Sequence, residues 1–224
     1  MKECWKIPPD QSPAFVANME DVLSVYELPY DADYPQVCMD ESCKQLVGEV
    51  QAAIPPEPGR PMRYDDEYVR EGVAQIFLFV EPLAGWRRIS VTETRTKTDW
   101  ALQIRELLEV DYPEAVKVRL VMDNLNTHTI ASLYAAFPAA EARRLAERLE
   151  IHYTPKHGSW LNMSEIEFSA LNAQCLDRRL PDIQSVRKEV AAWETDRNTK
   201  NSTIKWRFTT EDARIKLRKL YPKL

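Results

Sequence analysis

The sequence predicts an α/β fold built on a mixed five-stranded sheet with helices on both faces. Three observations point there. Five short apolar runs have strand character, at residues 36–39, 75–80, 88–93, 116–122 and 151–154. The first three follow one another with no helical pattern between them, so they should pair antiparallel. The last two are reached through helical patterns, and strands joined that way lie parallel.

The elements follow in order. Ser12-Pro13 starts a helix, serine as cap and proline in the first turn, and Phe15, Val16, Met19, Leu23 and Tyr26 repeat at helical spacing. The first strand, 36–39, ends before a long irregular stretch over 41–72, marked by Pro55-Pro56, Pro58-Gly59 and Arg60-Pro61. A loop of that length inside a domain is unusual and often functional. Residues 75–80 read as a fully buried strand. Residues 88–93 alternate, with Ile89 and Val91 inward and Ser90 and Thr92 outward, and the turn at 82–85 makes these two strands a hairpin.

Thr96 and Asp99 form a capping-box pattern before a helix with Trp100, Ile104, Leu107 and Leu108 on one face. The fourth strand, 116–122, delivers Asp123 at its carboxyl end. Two helical patterns follow, one over Ile130, Leu133, Tyr134 and Phe137, the other over Ala142, Leu145, Ala146 and Leu149 after Pro138. The fifth strand is 151–154. This order is the architecture of the ribonuclease H-like fold, in which ligands collect outside the carboxyl ends of the strands. The organisation it suggests is a helical lead-in over 1–30, a catalytic domain over 31–180 and a basic helical extension over 181–224 packed on it.

With 224 residues, 44% of them hydrophobic, the chain has material for one large core. No apolar run reaches the ~18 residues of a membrane span, and residues 1–5 lack the apolar core of a signal peptide. Cys4, Cys38, Cys43 and Cys175 form no CxxC pair and no metal spacing with histidine, and read as reduced thiols of a cytoplasmic protein. The net charge of −5 is unevenly spread: residues 156–224 hold 14 Lys and Arg against 9 Asp and Glu. A basic face on an acidic body suits phosphate backbones, and a solvated helix has the same composition.

Three acidic residues stand where one site would gather them: Asp40 and Asp123 after apolar strand runs, and Glu165 in a helical pattern. Carboxylates so placed suit two hard divalent cations, Mg²⁺ or Mn²⁺. Two ions about 4 Å apart hold the attacking and leaving oxygens of an in-line phosphoryl displacement. Asp40 and Asp123 also read as turn residues ending strands. Glu165 also reads as the third-position partner of an Asn162 cap. On a helical wheel with Leu161 at zero, Glu165 falls at about 40°, inside the apolar arc, and Glu167 at about 240°, at its edge. That spacing makes Glu165, rather than Glu167, the candidate ligand. His128, five residues past Asp123, reads as an assisting or phosphate-touching group, or as a cap or packing residue. Lys156 reads as a phosphate contact or a solvated lysine, and Trp193 and Trp206 as core aromatics before nucleic-acid platforms. His152 and His157 lack ligand spacing.

The chain resembles bacterial insertion-sequence transposases of the mariner-like superfamily, the six-thirty family of DDE-superfamily endonucleases. Met39-Asp40-Glu41 is similar to their first catalytic block, Val121-Met122-Asp123-Asn124-Leu125-Asn126-Thr127-His128 to the second, and the run from Thr154-Pro155-Lys156-His157-Gly158-Ser159-Trp160 to Glu165 to the third. Pro58-Gly59-Arg60-Pro61 and Trp206-Arg207-Phe208-Thr209 also have family character. The resemblance implies a catalytic domain with two Mg²⁺ or Mn²⁺ ions held by Asp40, Asp123 and Glu165, and DNA cleavage followed by strand transfer at TA dinucleotides. It further implies a homodimer on DNA. Asn124, His128, Lys156, Arg60, Lys205 and Arg207 are the further candidates for assisting or for holding DNA.

Family members carry an N-terminal helix-turn-helix region, and only the helix at Ser12 precedes the first strand here. The expectation is an isolated catalytic module, one product of a split or frameshifted element with a separately encoded DNA-reading part, or a truncated copy, working at the bacterial nucleoid. An inactive nucleic-acid-binding remnant and a ribonuclease H-like nuclease outside transposition are the rival readings.

Overall fold

The computed structural model describes residues 11–63 and 65–222. The readings that fall on residues 1–5, Cys4 among them, and on Lys223 lie outside the described residues. Helix α1 (Pro13–Tyr26) begins as expected, the Ser12 hydroxyl accepting the Phe15 N–H at 3.2 Å. Helix α2 (Lys97–Glu106) begins with a reciprocal Thr96/Asp99 capping box. The strands are β1 (Gln36–Glu49), β2 (Tyr68–Glu81), β3 (Trp86–Thr92), β4 (Val118–Met122) and β5 (Leu149–Tyr153). Helices α3 (Ile130–Ala136) and α4 (Ala139–Glu147) lie between β4 and β5. Helices α5 (Ser164–Leu171), α6 (Ile183–Thr199) and α7 (Thr210–Lys216) follow.

The sheet order is β3-β2-β1-β4-β5. The pairs β1–β2 and β2–β3 are antiparallel, and β1–β4 and β4–β5 parallel. This is the mixed five-stranded sheet that the element order predicts. Side chains alternate across a strand, so each strand feeds two cores. Cys38, Ile76, Leu78, Val80 and Val121 pack in one with α1, α5 and α6. Val37, Met39, Phe77, Phe79, Leu120 and Met122 pack in the other with α2, α3 and α4. Trp193 is buried in the first core and Trp206 packs against it, the packing reading of both.

Several boundaries differ from the sequence expectation. Strand β1 does not stop at Met39 but runs to Glu49, and β2 starts at Tyr68, so the expected irregular stretch of 41–72 shrinks to 50–67. Past Cys38, β1 has left β4 behind and pairs only with β2. Beyond Cys38 strand β1 is bonded along one side only, and its polar run at Glu41, Ser42, Lys44 and Gln45 hides the apolar alternation that marks a strand. The remaining loop holds isolated bridges Ile54–Arg63 and Glu57–Arg60 around Gly59, whose φ is 79°. Strand β4 starts at Val118, because the Val116 N–H goes instead to the Asp33 carbonyl at 2.8 Å. Leu149 opens β5 rather than closing α4, opposite Val118.

One polar interaction inside the fold has no counterpart in that reading. Arg87 of β3 and Glu167 of α5 are both fully buried, Nε to Oε2 at 3.4 Å. Arg87 also donates to the carbonyls of Gly85 (2.7 Å), Arg197 (3.1 Å) and Ser202 (2.6 Å). Arg197 of α6 donates to Glu167 Oε1 at 2.6 Å. The group pins α5 to β3 and to the end of α6.

A buried pair that loses one partner leaves an uncompensated charge, which costs about 3–5 kcal/mol. Glu167→Ala should therefore destabilise the chain by about that amount in urea unfolding, and Glu167→Leu combined with Arg87→Met should cost much less. A Glu167→Ala chain within about 1 kcal/mol of the wild type would show that water already compensates Arg87.

Candidate active site

Asp40 lies inside β1, opposite Leu78, rather than at a strand end. What ends there is the neighbour: β4 pairs with β1 only over Gln36, Val37 and Cys38. The sheet therefore opens beside Asp40, and Asp123 follows directly on Met122 at the close of β4. Parity sends Asp40 to the side of Cys38, toward α5, and Glu41 to the side of Val37 and Met39, toward α2 and α3.

Two cavities flank this opening. One of about 360 Å³ is lined by Asp40, Glu41, Ser42, Glu165, Phe168 and Asn172, among others. The other, about 790 Å³, is lined by Asn18 of α1, Asp123, Asn124, Lys156, His157 and Ser159, among others. Helix α5 carries Glu165 to the first cavity but not in the expected orientation. Glu165 is exposed, and Glu167 takes the buried position. The wheel fails because it assigns inward faces by apolarity alone, whereas Arg87 makes a carboxylate the better inward partner. Asn162 does not box with Glu165 either. Its side-chain amide donates to the Met39 carbonyl at 2.8 Å, its Oδ1 accepts the Ser164 N–H at 3.2 Å, and α5 has no side-chain cap.

Burial raises the Asp40 carboxyl to about 7, and the charges of Asp123 and Glu165 push the same way. The Glu41 N–H, 2.7 Å from Asp40 Oδ1, and His128 pull against that rise. Asp40 thus senses both other carboxylates. Among the described residues, however, no three His, Cys, Asp or Glu side chains are gathered closely enough to hold a metal ion as they stand. The donor set of Asp40, Asp123 and Glu165 is all oxygen, which fits Mg²⁺ or Mn²⁺. Glu165, on the exposed side of α5, shares a cavity with Asp40.

His128 is fully buried and bridges two carboxylates: Nδ1 lies 2.5 Å from Asp123 Oδ1 and Nε2 2.9 Å from Glu41 Oε1. Its ring stacks on Trp100 at 6.0 Å between centroids. Burial alone would lower its pKa, but the hydrogen bonds to Asp123 and Glu41 outweigh it and raise it to about 9. It is neither a helix cap nor a free phosphate contact.

Asn124 and Lys156 are exposed on the larger cavity. The structure does not bring Arg60, Lys205 or Arg207 to either cavity. Arg60 sits in the β1–β2 loop, 3.8 Å from Glu57. Lys205 and Arg207 are exposed on the segment between α6 and α7, which is tied down where the Ile204 N–H meets the Pro82 carbonyl at 2.9 Å. Arg214 of the same basic region is spent on Glu20, at 2.8 Å. His152 bonds Asp21 and Glu150 and takes no part in the site. Glu41 is the site residue that the sequence reading passed over; its parity with Val37 and Met39 was the available signal.

The family model described as DDE superfamily endonuclease matches residues 35–187. No curated protein sequence matches the chain. Among solved structures, the mariner Mos1 paired end complex with Mg aligns with a TM-score of 0.61 at 18% identity, covering 100% of this chain and 68% of that one. The Mos1 mariner paired end complex with Mn aligns at 0.55 and 16% identity, over 90% of this chain and 63% of that one. The Mos1 strand transfer complex aligns at 0.55 and 14% identity, over 90% and 62%. The chain thus spans about two thirds of the length of these transposases and shares their ribonuclease H-like fold.

The raised Asp40 carboxyl has a consequence for metal-free stability. Between its ordinary value of 3.8 and about 7, the folded chain keeps a proton that the unfolded chain has released. Stability contributed at Asp40 therefore falls as pH rises through that window, and the whole cost is present above it. Asp40→Asn should melt higher than the wild type at pH 8 in chelator, by about 2–4 °C for each kcal/mol recovered. The gap should close below about pH 4. Added Mn²⁺ should raise the wild-type midpoint and leave that of Asp40→Asn nearly still. A lower midpoint for Asp40→Asn at pH 8 would show that Asp40 is not strained by its surroundings.

Proposed function

The chain belongs to the DDE superfamily endonucleases, and from that premise we propose that it is the catalytic part of a transposase, cleaving DNA at element ends and joining the freed end to target DNA. The observation that carries this reading is Asp40, desolvated where the sheet opens, on a cavity shared with Glu165 and within reach of the charges of Asp123 and Glu165. A desolvated carboxylate that feels two further negative charges is costly unless a cation joins it. Asp40, Asp123 and Glu165 would hold two Mg²⁺ or Mn²⁺ ions. Bound there, such ions activate a hydroxyl nucleophile and stabilise the developing charge of phosphoryl transfer.

The chain's own residues do the rest. Asp123 is held in place at one oxygen by His128. Asn124 and Lys156 face the larger cavity, where they would hold backbone phosphates as the scissile bond approaches Asp123. Lys205, Arg207 and Arg60 would grip phosphates farther out. A homodimer on DNA, a separately encoded helix-turn-helix part and action at the bacterial nucleoid complete the proposal. The solved relatives, which are paired end and strand transfer complexes, support the DNA-processing part of this reading.

Duplex DNA carrying an element end should be nicked with Mg²⁺ or Mn²⁺ and not in chelator. Asp40→Ala, Asp123→Ala and Glu165→Ala should each abolish the nick while melting cooperatively. Cleavage that survives in Asp123→Ala would place the chemistry elsewhere, and preferential cutting of an RNA–DNA hybrid would make the chain a ribonuclease instead.

Phosphate contacts carry affinity but no base information. Lys205→Gln with Arg207→Gln should thus weaken binding about equally for element-end and scrambled duplexes and lower the slope of log affinity against log salt by up to about 2. Titrations at two salt concentrations check this, and a loss confined to one duplex would mean that these side chains read bases.

A further inference from the structure

Glu41 is the buried acid that the phosphoryl-transfer reading leaves without a task. It neighbours Asp40 in sequence but points through the sheet to the opposite face, where its side chain is only 3% exposed. A carboxylate so buried needs a partner, and its partner is His128, which is itself fully buried. The imidazole spends its other nitrogen on Asp123. Both the ring and the backbone of His128 are engaged by neighbours. Trp100 lies along one side, the Tyr153 hydroxyl donates to the His128 carbonyl at 2.9 Å, and the His128 N–H is held by the Leu125 carbonyl at 3.0 Å.

We propose that Glu41 and His128 are positioning residues for Asp123, a carboxylate–imidazole–carboxylate relay that fixes one Asp123 oxygen and leaves the other to bind the cation. The proposal rests on the metal reading above. Glu41 is not itself a ligand in this arrangement, because its Oε1 is engaged by His128. The outer partners of a ligating group set its orientation, and their removal typically weakens metal affinity 10–100-fold. His128 thus belongs to the same apparatus as Asp123 without touching substrate. The relay also links β1 to β4 beyond the point where their ladder has ended, so it substitutes a side-chain tie for the missing backbone bonds at the mouth of the site.

The test is Mn²⁺ uptake by the whole chain without DNA, followed by the spin resonance of free Mn²⁺, with thermal melts alongside. Glu41→Ala and His128→Ala should each weaken Mn²⁺ binding about 10-fold or more. The double variant should bind no more weakly than His128→Ala alone, because both act through one contact. Glu41→Gln, which keeps an oxygen for the Nε2 hydrogen, should recover most of the affinity. Should Glu41→Ala fail to melt cooperatively, His128→Asn decides: a tenfold loss supports the relay and an unchanged affinity overturns it. Unchanged binding in Glu41→Ala, or additive losses in the double variant that would make Glu41 an independent ligand, also overturn it. A wild-type chain whose Mn²⁺ uptake is absent, or insensitive to Asp123→Ala, overturns the metal reading and the relay with it.

Discussion

Strand β1 works under a constraint of parity. Its side chains alternate between two cores, and that alternation continues unbroken from Val37 and Cys38 into Asp40 and Glu41. Two adjacent acids are thereby sent to opposite faces of one sheet. Asp40 meets the layer that carries α5, and Glu41 meets the layer that carries α2 and α3. A shift of one residue in the pairing with β2 would exchange them. Asp40 would then face His128, and Glu41 would lie under Glu165. The register opposite Leu78 and Phe77 is therefore as much a condition of the site as the acids are.

The energy of the arrangement runs in two directions. The apolar cores on either side of the sheet favour the fold, and the acids at its opening oppose it. Asp40 is held against desolvation and against the charges of Asp123 and Glu165. His128 offsets part of that cost by taking both Asp123 and Glu41. Elsewhere the Arg87–Glu167–Arg197 group compensates its own charges and holds α5 in a fixed rotation. Glu165, two residues from Glu167, is thus presented outward by a helix that is not free to turn. Strain is concentrated where the cation is proposed to bind, and rigidity is supplied by a group outside it.

Much of this was legible in the residues. Apolar runs and capping signals located every strand and the first two helices, because burial and caps leave local marks in sequence. The mixed sheet followed from connection type. The length of β1 did not, because a ribbon pairing on one side has no need of apolar alternation at Ser42, Lys44 or Gln45. Helix α5 misled for a related reason. Periodicity identifies the inward face by hydrophobicity, and Glu167 is inward only because Arg87, eighty positions earlier, awaits it. His128 was visible as a candidate from its spacing to Asp123, but its second partner, Glu41, comes from a strand that no local pattern joins to it.

The early end of β4 also leaves β1 with an open flank, a row of main-chain groups facing no neighbouring strand. Such flanks invite another chain to add itself as a further strand, which leads to aggregation. Here the invitation is withdrawn piece by piece. The Met39 carbonyl is occupied by the Asn162 amide and the Val47 N–H by the Leu180 carbonyl, both from the segments around α5. The register slips between Leu46 and Val47, so the ribbon does not present a straight template. Asn162 therefore has a protective duty besides its place near the site. A substitution there would uncover the Met39 carbonyl on that flank and release the Ser164 N–H at the start of α5 in the same stroke.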